Sequence, residues 1–162
     1  MRVIPVDSIE YKRLCAVIEQ RMGFDPKRAN WLDLPWDHVI YKHYEYGTWN
    51  SNQELLVNSM FERIFTKSMY AIDWHHDFFE YEPSEEIALN YYVYDNNRCC
   101  NVYFPSYYPN GDYFFFLDSN YEFGLLGNPF LGELVVYGDE LIYQFDSYQQ
   151  ELGIVRTQLV RR

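Results

Sequence analysis

The chain has only three cysteines, Cys15, Cys99 and Cys100, too few for a disulfide framework and without the spacing of a CxxC metal pattern. Reduced thiols in a cytosolic protein are what such usage implies. No run approaches the roughly 18 apolar residues of a membrane helix. Arg2 to Asp7 lacks the apolar core of a signal peptide. The expectation is a cytoplasmic chain that uses no membrane. Gly124 to Pro129 is no phosphate loop, because it has no Lys and no helix signal behind it, so its glycines are expected to permit a bend. The sequence contains no nucleophile elbow, Ser-His-Asp order or Cys-His pairing. Repeats, low-complexity tracts and linkers are also missing, so residues 1–162 read as a single domain.

Positive charge is scarce in one half of the chain. From Met69 to Glu151 there are fifteen Asp and Glu and one basic residue, Arg98; the rest holds twelve Lys and Arg against nine acids. A nucleic-acid binder needs Lys and Arg for phosphates, so this imbalance argues against one. It favours a cationic partner, a metal ion, or solubility alone.

What the chain has in excess is aromatic surface, 20% of residues, with 17 tyrosines. Tyr107 to Leu117 concentrates it, reading Tyr-Tyr-Pro-Asn-Gly-Asp-Tyr-Phe-Phe-Phe-Leu. Asn110-Gly111 predicts a type I′ hairpin turn. Asp112–Leu117 predicts a central strand covered on both faces. A chain of 162 residues buries about 70% of its unfolded surface, enough for such a core.

Asp7 to Glu10 has the form of a capping box, and Tyr11, Leu14, Cys15, Ile18 and Met22 make one helical stripe, predicting a helix over 8–22. Residues 24–37 read as an ordered loop whose Trp31 and Trp36 plug the core. Val39–Tyr46 predicts a strand ending at Gly47. A second capping box, Ser51 to Glu54, opens a helix over 52–67, with Arg63 and Lys67 in its last turns. Strands are then expected at 69–74, 78–82, 87–94, 102–105, 112–117, 133–137 and 141–145, with Gly138-Asp139 as a second tight hairpin. The tail from Gly153 reads as a docked strand or helix. The fold class is α+β, two N-terminal helices packed on a mainly antiparallel sheet.

Asp73-Trp74-His75-His76-Asp77 is the densest set of possible ligands. Read as extended, it places Asp73, His75 and Asp77 on one face, where they could bind a divalent cation or act as acid-base groups. The competing reading is a hydrogen-bonded structural role for Asp73 and His76. Asp112, directly after the turn glycine, fits a turn-closing carboxylate or a catalytic one.

Four blocks carry a resemblance: Ala71-Ile72-Asp73-Trp74-x-His76, Pro109-Asn110-Gly111-Asp112-Tyr113-x-x-Phe116-Leu117, Phe123-Gly124-x-x-Gly127-x-Pro129, and Tyr137-Gly138-x-Glu140-Leu141. In order and spacing they resemble the uncharacterised bacterial family called domain of unknown function 2716, over about residues 69–142. The chain departs at Asn128-Pro129-Phe130, where the family typically reads His-Pro-Trp, and at His75, where Gln is usual. A family site that used that first His is lost here. The resemblance implies no established activity; it implies a bacterial or phage intracellular setting and one folded unit.

The reading that follows is a non-enzymatic acidic binding protein, an immunity protein or inhibitor of a basic toxin or nucleic-acid-binding effector. It needs no cofactor and touches no nucleic acid directly. Glu80, Glu82, Glu85, Glu86, Asp95, Tyr107, Tyr108 and Asp112 are its expected contact residues, with carboxylates mimicking phosphates and Tyr rings as anchors. The alternative is a metal-dependent or acid-base enzyme using Asp73, His75 and Asp77.

Overall fold

A computed structural model describes residues 1–44, 48–64, 67–83 and 91–162. Eight strands form one sheet in the order β1 (Arg2–Ile4), β4 (Phe78–Tyr81), β3 (Met69–Asp73), β7 (Phe114–Asp118), β8 (Gly124–Asn128), β9 (Glu133–Tyr137), β2 (His38–His43) and β10 (Ile154–Val160). Every ladder in it is antiparallel. β5 (Tyr92–Asp95) and β6 (Cys100–Tyr103) make a separate two-stranded ribbon. Among the described residues the helices are α1 (Ile9–Ala16), continued by a π-helical turn Val17–Arg21, α2 (Ser51–Ile64), α3 (Asp139–Ser147) and α4 (Gln149–Leu152).

β7 lies at the middle of the sheet and all five of its residues are buried. Its side chains alternate between two cores, as a pleated strand requires. Phe114 and Phe116 join Val57, Met60 and Phe61 of α2 and Leu141 and Phe145 of α3. Phe115 and Leu117 join Leu14 and Ile18 on the other face, together with Phe24, Trp31 and Leu34 of the 24–37 loop. Each buried aromatic contributes about 1.5–3 kcal/mol relative to exposure.

The structure corrects the α+β expectation in its arrangement. The helices are not a two-helix N-terminal layer: α1 covers one face, while α2 and two C-terminal helices cover the other. Residues 141–145 are helix rather than strand, because Leu141 and Phe145, four apart, both face the core. Gly138, at φ 92°, leads into that helix and is no hairpin tip. Asn110-Gly111 joins no hairpin either: β7 pairs with β3 and β8, not with the strand before the turn. The 124–129 glycines lie in a strand, β8, which the bend expectation missed. Gly127 is there for space, since a Cβ would meet the Pro109 ring at 2.7 Å.

The helix caps shift by one residue. Ser8 Oγ, not Asp7, accepts the Tyr11 amide at 3.1 Å, and Asp7 takes φ 66°. Before α2, Asn50 Oδ1 accepts the amides of Asn52 and Gln53, and Gln53 Oε1 accepts the Asn50 amide at 2.9 Å. That frees Glu54 to turn inward. The expected strand ends at 44–47 and 87–90 and the helix end at 65–66 reach into segments outside the described residues.

Glu54 fixes the loop that feeds β7. It is 6% exposed and its carboxylate accepts the amides of Tyr107 at 2.7 Å and Tyr108 at 3.3 Å. Tyr107, 2% exposed, donates its hydroxyl to Asn58 Oδ1 at 2.8 Å, and Asn58 Nδ2 donates to Pro83 O. Burial pushes the Glu54 pKa up to about 7 from 4.5, against the opposing pull of the two amides.

A pH prediction follows from that shift. The folded state binds the Glu54 proton more tightly than the unfolded chain, so this contribution is present below pH 4.5 and is lost as pH rises through 7. Its size is on the order of 3 kcal/mol. Acidifying from pH 8 to 5.5 is expected to raise the denaturation midpoint of the parent protein more than that of Glu54→Gln. Parallel pH profiles for the two proteins would show that Glu54 does not titrate in this range.

Candidate functional site

The β3–β4 connection is a tight turn, not an extended run. Asp73 accepts the His76 amide at its carbonyl (3.0 Å) and donates its own amide to the Asp77 carbonyl (3.0 Å). The Trp74 amide donates to the Tyr113 carbonyl at 3.1 Å, tying the turn to the start of β7. The Trp74 ring packs edge-on against Phe24 and Phe115, at 4.9 and 5.9 Å between centroids. A partly buried aromatic anchor of this kind fixes the polar residues on either side of it.

The turn and β7 bring together residues far apart in sequence. Asp112 receives the backbone amides of Tyr113 (2.7 Å) and His75 (3.0 Å), and its carboxylate lies 2.8 Å from His75 Nδ1. Asp73 Oδ1 lies 2.8 Å from His76 Nδ1, which is also 3.5 Å from Asp112 Oδ2. The carboxylates are mostly buried, with side chains 17% and 9% exposed for Asp73 and Asp112, whereas both imidazoles are more than half exposed. The result is two Asp–His pairs side by side, acids inward and rings outward. One ligand atom each from Asp73, His76 and Asp112 lies within 4.8 Å of the others.

The electrostatics follow from that closeness. Burial, and then contact with Asp112, raises the Asp73 pKa to about 6, against the pull of His76. Burial would also raise Asp112, but its bonds from His75, Asp73 and two backbone amides outweigh it, and its pKa is lowered. Below about pH 6 the carboxyl pair therefore holds a proton, on Asp73. The hydrogen bond to Asp73, then its charge, raises the pKa of His76.

Sequence alternation had grouped Asp73, His75 and Asp77. The turn separates them: Asp77 pairs with Arg98 at 2.5 Å, alongside Asp95, and His75 turns to Asp112. Asp73 is hydrogen-bonded to His76. Of the expected contact residues, Tyr107, Tyr108 and Asp112 are buried and offer little surface to a protein partner. Glu80 pairs with Arg2 and Asp95 with Arg98, while Glu82 is exposed. Glu85 and Glu86 lie outside the described residues.

Two cavities flank the β8–β9 turn and share Phe130 and Leu131. One, of 500 Å³, opens beside His75 between Arg28, Tyr113 and Asn128. The other, of 590 Å³, lies between the end of β2 and the Tyr108–Gly111 loop. Among the described residues no helix is long and apolar enough to cross a membrane.

A family model described as "Protein of unknown function (DUF2716)" matches residues 6–142. The chain is also 32% identical over 145 residues to the uncharacterized protein YxiI of Bacillus subtilis (strain 168), covering 90% of this chain and 74% of YxiI. No solved structure matches.

The Asp73–His76 pair has a direct spectroscopic test. Asp73→Asn is expected to move the His76 titration midpoint down toward the ordinary 6.5, read from its ring proton shifts by NMR. A midpoint that stays where it is would mean that Asp73 does not hold the imidazolium.

Proposed function

Since the chain belongs to the DUF2716 family of proteins of unknown function, covered from residue 6 to 142, we propose, from its own chemistry, that it is a cation-assisted acid-base enzyme. Asp73, His76 and Asp112 would hold a divalent ion, and His75 would move the proton. The observation that carries this reading is the convergence of two carboxylates and two imidazoles from segments about forty residues apart on one half-buried point. Buried carboxylates in contact repel each other, and a proton or a cation relieves the repulsion. Mixed oxygen and imidazole donors suit ions such as Zn²⁺ or Mn²⁺. Held at Nδ1 by Asp112, His75 keeps its Nε2 for exchange with a bound water or substrate.

A second reading, the acidic binding protein, is favoured by a different observation. Tyr92, Tyr94 and Tyr103 stand more than half exposed on the β5–β6 ribbon, and rigid aromatic rings of this kind anchor interfaces. Glu122, Asp139 and Glu140 also gather around one depression beside Arg63. A basic toxin or nucleic-acid-binding effector is the partner this would suit. Several other acids are engaged internally, with Arg2, Lys42, Arg98 and Arg156, which shrinks the free acidic surface. Unpaired, exposed Cys99 and Cys100 support a reducing, cytoplasmic setting under either reading.

Metal titration separates the two. Zn²⁺ or Mn²⁺ at about a hundred times Kd is expected to stabilise the native protein by about 2.7 kcal/mol. The rise in melting temperature should be larger at pH 7.5 than at pH 5.5, because the ion displaces the Asp73 proton. Asp112→Asn should abolish it. If neither ion shifts the melting temperature at pH 7.5 and none co-purifies, the cation reading is wrong and the binding-protein reading is preferred.

A further inference from the structure

The larger cavity has a character opposite to that of the chain around it. Its 590 Å³ falls within the 300–1,000 Å³ of small-molecule sites. In a chain of net charge −11, no acidic side chain among the described residues lines it, while Lys42 and His43 do. Its mouth also collects exposed apolar groups that a solvated surface would not need: Phe130 is 74% exposed, Tyr44 61% and Leu131 47%. Deeper in, the Tyr108 ring is held by an edge contact to His43 and a tilted one to Trp49, each at 5.4 Å. That wall is set by the core, because Glu54 fixes the Tyr108 backbone.

We propose that this cavity, between the end of β2, the Tyr108–Gly111 loop and the β8–β9 turn, binds a small planar aromatic anion. The ligand's ring lies among Tyr44, Tyr108 and Phe130, where offset and edge-on aromatic contacts are favourable. Its anionic group lies at Lys42, whose ammonium also reaches Glu133 at 3.4 Å and keeps enough exposure to take a second partner. Glycine at 132 adds to the opening, since even a Cβ there would approach only the Tyr108 hydroxyl, at 3.9 Å. The inference is independent of the cation site, which lies beyond the Phe130–Leu131 turn.

Fluorescence titration with 8-anilinonaphthalene-1-sulfonate tests it, using the full chain in EDTA so that the cation reading plays no part. N-phenyl-1-naphthylamine, the uncharged relative, serves as the comparison. The expected result is saturable one-to-one binding of the sulfonate, with the uncharged compound weaker. Lys42→Gln and Phe130→Ala should each weaken the sulfonate at least about fivefold. Both positions are exposed enough for the fold to survive, and unchanged thermal melts confirm that. Equal affinity for the two compounds, non-saturating binding, or indifference to both substitutions overturns the proposal.

Discussion

Burial of β7 on both faces is the constraint from which the rest of the structure follows. A strand reading Phe-Phe-Phe-Leu-Asp cannot present either side to water without exposing large aromatic rings. It therefore needs a neighbour on each edge and a layer on each face. β3 and β8 supply the edges; α1 with the tryptophan loop, and α2 with α3, supply the layers. Because side chains alternate, the strand feeds two cores, one on each face of the sheet. A single-layer helical cover would have left Phe115 and Leu117 wet.

That arrangement also explains the segregated charge. The acid-rich half of the chain forms most of the central sheet, while the basic ends of the chain form its edges. β1 brings Arg2 to Glu80, and β10 brings Arg156 to Asp146. Arg162 beyond β10 likewise reaches Asp33. Exposed pairs of this sort contribute little individually, but they orient edge strands that have few apolar contacts of their own. A few of the excess acids are thus paired in space with bases from the ends of the chain.

The Asp–His cluster depends on the same framework. Asp112 is placed by lying two residues before β7, and Asp73 by being the last of β3, the strand paired with it. Two carboxylates are brought together because two neighbouring strands begin and end at the same level. The backbone amides of Tyr113 and His75 then hold Asp112 ionised while Asp73 gains affinity for a proton. Polar residues at the ends of adjacent central strands are positioned by the core beneath them, a favourable base for chemistry.

What the sequence determined by itself was local or composition-driven. The buried central strand, the stripe of α1, the existence of α2, the tryptophan plug and the family blocks were legible because periodicity and aromatic density act over a few residues. The free thiols and the uneven charge were legible as counts. Tertiary structure alone decided the rest. Residues 141–145 carry an apolar spacing that suits either a short strand or a helix, and only the core beneath them selects the helix. The glycines of β8 suggested a bend, yet Gly127 serves the close approach of Pro109, a contact eighteen residues distant. Alternation grouped Asp73 with Asp77, whereas a tight turn sent Asp77 to Arg98 and paired Asp73 with His76 beside a carboxylate thirty-nine residues away. Tyr107 and Glu54 had the composition of surface residues and are buried because each satisfies polar groups of the other's segment. Sequence patterns report which residues resist water; which polar groups meet depends on strand register, and that is settled only when the whole sheet assembles.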